Sequence, residues 1–165
     1  MGTAEMNLFI VDTDYRMSND LKQYLSNRFG KYLNISKFQT GESCLKQINN
    51  ETKLVILGFY LKGKDGNAIL KSIKEINPDT EVIIHTSSED VGTAIESYRN
   101  GALDYVLKGQ GDKKHIGNIV LQILTYPIRI MVREFGISKF LAIFLLTFFT
   151  MALIVVFVLK AFVFV

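Results

Sequence analysis

Leu54-Val-Ile-Leu57 is an apolar run with no polar residue breaking it. Ile69, Leu70, Ile73 and Ile76 follow on one face of a helix that Pro78 ends, and a second apolar run, Val82-Ile-Ile84, comes next. A strand with one wet face alternates polar and apolar residues, whereas a strand buried on both faces does not. Two such runs joined by an amphipathic helix form a strand–helix–strand unit, and a crossover of that kind makes the strands parallel.

The same alternation extends outward in both directions. Upstream, Leu8-Phe-Ile-Val11 reads as a strand, and Met17, Leu21, Leu25 and Phe29 as a helix face stopped by Gly30. Leu33 to Phe38 alternates weakly as a second strand, and Thr40 caps a short helix carrying Leu45 and Ile48. Downstream, Val91 to Tyr98 reads as a helix closed by Gly101, Tyr105-Val-Leu107 as a fifth strand, and Ile116, Ile119, Val120, Ile123 and Leu124 as a fifth helix. Strands alternating with helices predict an α/β fold, a doubly wound parallel sheet covered on both faces. Sites in such sheets lie at the carboxyl ends of the strands. Those ends carry Asp12, Gly58, Thr86 and Lys108.

A different pattern closes the chain. The run 140–159, from Phe140 to Leu159, holds no charge, and only Thr147 and Thr150 are polar. As a helix it would be about 30 Å long, the thickness of a bilayer's hydrocarbon core. With its Leu, Ile, Val, Phe and Met residues at roughly −0.3 to −0.6 kcal/mol each, insertion is favoured by about 5–10 kcal/mol. The expectation is a membrane helix over 139–160. Arg129, Arg133 and Lys139 precede the run and only Lys160 follows it, which places the N-terminal domain in the cytoplasm. Domain boundaries then fall at 1–125, at a juxtamembrane linker 126–138, and at a short outer tail 161–165. In the linker, Pro127 should stop or kink the fifth helix. Ile128, Met131, Val132 and Phe135 share one helical face and Arg129 and Arg133 another. That pattern fits an interfacial helix on anionic lipid or a continuous helical stalk.

Composition narrows the chemistry. The chain has 165 residues, a net charge of +3 and a single cysteine, Cys44. An intrachain disulfide is excluded, a reducing compartment fits, and the charge balance does not suggest a nucleic-acid partner. No basic n-region leads an apolar run at the start, so no signal peptide is visible. No phosphate-binding glycine loop, metal-ligand cluster or hydrolase motif is present, so neither cofactor nor metal is expected. His85 reads as a packed or hydrogen-bonded strand residue, His115 as part of a solvated turn with Lys113 and Lys114, and Cys44 as a small packing residue.

Several segments, in order, resemble the receiver domain, the CheY-like module of two-component response regulators. Phe9-Ile-Val-Asp12 is similar to its first strand with the acidic end. Asp65-Gly-Asn-Ala-Ile-Leu70 with Ile73-Lys74 and Pro78 resembles its third helix. Ile83-Ile-His-Thr-Ser87 is similar to its fourth strand, and Gly101-Ala-Leu-Asp-Tyr105 with Lys108 to its fifth. The resemblance covers about residues 6–125 and implies a flavodoxin-like sheet of order 2-1-3-4-5. It implies a phosphoacceptor aspartate ending the third strand, where this chain has Gly58. It also implies a metal-binding carboxylate beside the first acid, where this chain has Thr13. Asp12, Thr86, Lys108 and the switch-like aromatic Tyr105 match the family, while Lys62 and Gly109 stand where it usually has prolines. Asp14, at the start of the first helix, reads as a helix cap rather than a substitute acceptor.

The expectation is a pseudo-receiver: no enzyme, no phosphoacceptor, and a degenerate pocket in which Lys108 pairs with Asp12. By resemblance, Val91, Ile95, Tyr98, Tyr105 and the exposed side of residues 112–125 are candidates for a partner face, or else pack in the core. The function expected is a phosphorylation-independent, membrane-anchored interaction module for a cytoplasmic or membrane protein partner in signalling. A structural subunit of a membrane complex is the alternative, and residual phosphoacceptor activity a third reading. Self-association stays open, although no small-xxx-small motif favours it.

Overall fold

The computed structural model describes residues 5–163 apart from 63–64, with the side chains of 127–140, 142, 158 and 161–163 outside the description. Five strands, β1 (Met6–Val11), β2 (Leu33–Phe38), β3 (Thr52–Gly58), β4 (Glu81–Thr86) and β5 (Asp104–Leu107), form one parallel sheet of order β2-β1-β3-β4-β5. Helices α1 (Tyr15–Phe29), α2 (Gly41–Leu45), α3 (Gly66–Ile76), α4 (Val91–Arg99) and α5 (Asp112–Val163) follow the strands in turn. The doubly wound α/β layout is the one expected from the alternating pattern, and its strand order is the flavodoxin-like one that the receiver resemblance implies.

The absence of alternation in β1, β3 and β4 has the anticipated cause. Phe9, Val11, Val55, Leu57, Val82 and Ile84 pack into one cluster with Cys44, Ile69, Leu70 and Ile73. The residues between them, Leu8, Ile10, Leu54, Ile56 and Ile83, are equally buried, as are Leu21, Leu25, Ile116 and Val120 of α1 and α5. Successive strand side chains point to opposite faces, so both faces of these strands are covered. Burial pushes the Cys44 thiol up to about 12, which keeps it protonated in its packing role.

Side-chain caps start the helices. Asp14 accepts from the main-chain N–H groups of Arg16 and Met17, Thr40 from Ser43, Asp65 from Ala68 and Asp90 from Thr93. Each cap contributes about 1 kcal/mol by satisfying otherwise unpaired donors. Asp14 is therefore engaged as the α1 cap.

At the amino-terminal edge of the sheet a neutral network joins β3 to the α3–β4 turn. Thr80 Oγ1 donates to the Thr52 carbonyl at 2.8 Å, and Asn77 Nδ2 donates to the Asn49 and Thr52 carbonyls at 3.0 and 3.4 Å.

Two expectations change in detail. Ile76 is exposed, because α3 ends there and Asn77 turns the chain away. The helix does not stop at Pro127: α5 continues to Val163. A proline removes one main-chain donor, and Thr125, Tyr126, Ile128 and Ile130 around it are not strong helix formers, yet α5 runs on past it. The chain divides into two units, Met1–Val120 and Leu121–Val165.

Among the described residues no helix is long and apolar enough to cross a membrane. The run 143–157, in which every side chain is described, spans about 22 Å at ~1.5 Å per residue, short of a bilayer core. The expected span over 140–159 is thus not found there. Phe140, the linker residues Ile128, Arg129, Met131, Val132, Arg133, Phe135 and Lys139, and the tail 161–165 have side chains outside the described residues.

Candidate functional site

The order β2-β1-β3 reverses the direction of winding between β1 and β3, which opens a crevice at the carboxyl ends of these strands. Asp12 follows β1 there, Gly58 ends β3, His85 and Thr86 end β4, and Lys108 follows β5. Val11 pairs in register with Leu57, and Gly58 with His85. The sheet itself therefore brings together residues far apart in sequence.

Asp12 is buried, and both of its carboxylate oxygens are engaged. Oδ2 accepts from Lys108 Nζ at 2.6 Å, and Oδ1 accepts from the main-chain N–H of Asp14 at 2.9 Å. The lysine side chain is 18% exposed and the aspartate 7%, so the pair sits largely out of water. Thr13, beside it, is exposed. A Cβ built on Gly58 would lie 3.1 Å from the Val11 carbonyl oxygen and 3.5 Å from both Asp12 Cγ and Leu61 Cδ2. The space enclosed by Asp12, Ser18, Gly58 and His85 leaves no room for a water molecule.

Thr86 and Tyr105 meet at one residue. Thr86 Oγ1 accepts from the main-chain N–H of Ser88 at 3.1 Å, and Tyr105 Oη donates to the Ser88 carbonyl at 2.9 Å. Both side chains thus fasten the β4–α4 loop. Val91, Ile95 and Tyr98 are exposed, which removes core packing as their role. The Tyr98 hydroxyl donates to Asp104 Oδ1 at 2.9 Å, and Asp104 Oδ2 meets His115 Nε2 at 2.7 Å. His115 therefore has a specific partner, beyond the solvated turn read from the sequence.

One pair was not legible in the sequence. His85 Nε2 lies 2.9 Å from Asp112 Oδ2, and both side chains are 5% exposed. Asp112 also accepts from the main-chain N–H groups of Lys113 at 2.6 Å and Gly109 at 3.3 Å. A carboxylate already accepting two such bonds is the acceptor here too, so Nε2 of His85 carries the hydrogen. Burial pushes His85 below the ordinary imidazole value, against the upward pull of the Asp112 hydrogen bond. Burial acts to raise Asp112, but the bonds from His85, Gly109 and Lys113 outweigh it and hold the carboxyl below its usual range. Among the described residues no group of three or more His, Cys, Asp or Glu is placed to hold a metal ion.

Comparison with known proteins agrees with this geometry. The response regulator receiver domain matches residues 8–120. The transcriptional regulatory protein ZraR of Escherichia coli K12 is 33% identical over 109 residues, which are 66% of this chain and 24% of that protein. The DNA-binding transcriptional regulator NtrC of Klebsiella pneumoniae is 35% identical over 101 residues, 61% of this chain and 21% of NtrC. The chain thus matches less than a quarter of either relative. The response regulator DrrB of Thermotoga maritima superposes with a TM-score of 0.65 at 25% identity, over 74% of this chain and 54% of that one. Strand order, the clustered strand ends and these matches converge: the chain belongs to the response regulator receiver domain family of two-component signalling.

Proposed function

We propose that this receiver is a pseudo-receiver, a phosphorylation-independent docking module held at a membrane. The observation that carries the reading is Gly58 at the end of β3 beside the closed Asp12–Lys108 pair. Glycine has no oxygen to accept a phosphoryl group. The residues do not fit a magnesium ion either. A hard cation needs carboxylate oxygens, and here a single carboxylate, Asp12, has both oxygens engaged while Thr13 is a neutral neighbour. The ammonium of Lys108 neutralises Asp12 in the place of a metal, and the pocket is held in one arrangement. The output is then contact: Val91, Ile95 and Tyr98 offer an exposed face to a cytoplasmic or membrane protein. Catalysis, a cofactor and nucleic acid form no part of this reading, although the relatives are transcriptional regulators.

The membrane half of the proposal rests on the sequence run 140–159 and on exposure. Leu141, Phe144, Leu146, Phe148, Phe149 and Phe157 are all more than half exposed on the helix, with Phe157 at 75%. Apolar residues on every side of a helix call for an apolar solvent, and lipid supplies one. The charge bias of the flanks puts the receiver on the cytoplasmic side, at the inner membrane of a bacterium if the family's usual host applies.

Magnesium with beryllofluoride, added to the full chain in detergent, tests the pocket. The expected result is no saturable shift of the Thr86 and Tyr105 amide signals; a saturable shift restores the phosphoacceptor reading. Gly58→Asp alone should still fail to take phosphate from acetyl phosphate, because Thr13 supplies no metal carboxylate. Recovery in the membrane fraction after alkaline carbonate tests the anchor, and release into the supernatant would remove it.

A further inference from the structure

We propose that Tyr98, Asp104 and His115 guard the lateral edge of the sheet, closing β5 to a strand from a second copy of this chain. β5 is the last strand of the order β2-β1-β3-β4-β5, so one of its sides has no strand beside it. An edge strand offers a row of main-chain donors and acceptors with which another chain's strand can pair. Lys108 donates its main-chain N–H to the Thr86 carbonyl of β4 at 2.7 Å, in a ladder that pairs Ile84 with Tyr105 and Thr86 with Leu107. Main-chain groups alternate sides along a strand, so Val106 faces β4 as Lys108 does, and the N–H groups of Tyr105 and Leu107 face outward.

The donor at the middle of that edge is already taken. Tyr105 donates its main-chain N–H to Asp104 Oδ1 at 2.7 Å and shares it with Tyr98 Oη at 3.2 Å. The same hydroxyl gives its own hydrogen to Asp104 Oδ1 at 2.9 Å. Asp104 Oδ2 meets His115 Nε2 at 2.7 Å, which fastens the carboxylate from the α5 side. α4 and α5 thus each reach the edge with one side chain, and both meet on Asp104. An incoming strand would have to displace the tyrosine hydroxyl and break bonds to a carboxylate, which are the strong ones. In exchange it would gain only a short ladder, because β5 has four residues.

The edge needs such a device. Leu103 and Leu107 lie exposed at its two ends, and Asp104-Tyr-Val-Leu107 holds no proline or lysine, two usual deterrents to strand pairing. The guard stands on its own geometry, whatever position 58 does. For the docking face proposed above, and resting on that reading, it adds a restriction: Val91, Ile95 and Tyr98 meet a partner through side chains rather than by strand addition.

Sedimentation velocity of the full chain in detergent micelles, with amide hydrogen exchange on the same samples, tests the guard. In the wild type the Tyr105 amide should be protected. Tyr98→Phe combined with Asp104→Ala removes both acceptors. Exchange at Tyr105 should then rise about tenfold or more, and the chain should self-associate at a concentration about tenfold lower than the wild type. Adding Leu107→Lys puts a charge on the bared edge and should reverse that association, whereas Val91→Lys on α4 should leave it in place. An unprotected Tyr105 amide in the wild type overturns the proposal. So does a double variant no more associated than the wild type, an association that Leu107→Lys leaves in place, or one that Val91→Lys reverses as well. Should the double variant fail to fold, Tyr98→Phe alone decides. Faster Tyr105 exchange with raised self-association supports the guard, and wild-type behaviour refutes it.

Discussion

The two edges of the sheet both bury polar side chains, and they do so by opposite means. At the amino-terminal edge, Asn77 and Thr80 bond main-chain carbonyls of Asn49 and Thr52, all neutral groups from adjoining segments. At the carboxyl-terminal edge, the Asp12–Lys108 ion pair and the hydrogen bond from the His85 imidazole to the Asp112 carboxylate join β1, β4, the β5–α5 loop and α5. A neutral network holds the same energy whatever the pH. A charged one depends on every partner being present and on each proton. The first edge is a fixed seam of the fold; the second is where the sheet can respond.

The largest test of that contrast is Lys108→Ala. It strands the buried Asp12 carboxylate and should cost about 3–5 kcal/mol, read from urea unfolding of the receiver unit in the full chain. Replacing both partners, Asp12→Asn with Lys108→Met, should recover most of the loss, because removing both charges removes the desolvation cost as well. A double variant no better than the single one would mean that the pair is not what holds the edge. At the neutral edge, Asn77→Ala should cost about 1–3 kcal/mol by leaving buried carbonyls short of donors. That cost should be the same across the range from about pH 5.5 to about pH 8, since no group there titrates. A pH-dependent cost would erase the distinction between the edges.

Acid separates the edges further. His85 titrates below its unfolded value of 6.5. Below that value the unfolded chain binds a proton that the folded chain refuses, so stability should fall as pH drops from 6.5 toward the folded value. Asp112 works lower in the scale. Its folded value lies below 3.8, so the stability it contributes is present above 3.8 and is lost on further acidification. Unfolding midpoints measured from about pH 7 to about pH 5 should slope in the wild type and flatten in His85→Gln. A slope unchanged by that substitution would assign the acid sensitivity elsewhere.

How much of this was legible follows from sequence distance. The strands were readable because burial on both faces strips polar residues from runs such as Leu54-Val-Ile-Leu57. The Asp12–Lys108 pair was anticipated because both residues end strands and the family resemblance brings those ends together. His85–Asp112 was not, because nothing local marks a histidine on an apolar strand as the partner of an aspartate beyond two glycines. The tertiary fold alone closes that gap. The length of α5 is hidden for a different reason: Pro127 is a strong local stop signal, and the β-branched and aromatic residues beside it give no local sign that the helix runs on. The spacing of Ile76 puts it on the core face, but the helix ends under it.

The smallest expected effect carries the finest distinction. Glycine at 58 has two physical explanations, lack of space or lack of need for chemistry. A Cβ there would approach the Val11 carbonyl at 3.1 Å, tight by a few tenths of an ångström, and the Asp12 and Leu61 side chains at 3.5 Å, an ordinary contact. Against the tight contact stands a gain of about 0.4–1 kcal/mol from a less flexible unfolded chain, provided the site accepts alanine without strain. Gly58→Ala should therefore change stability by less than about 1 kcal/mol in either direction. A small change means that the strand end could have carried a side chain, and the bare position reflects a pocket with no phosphoryl group to receive. A loss above about 2 kcal/mol, beyond the usual effect of a strand glycine, would make glycine a steric requirement of the closed Asp12–Lys108 pair. The missing acceptor would then be a consequence of the pair's packing, with the lock as the primary feature of the site.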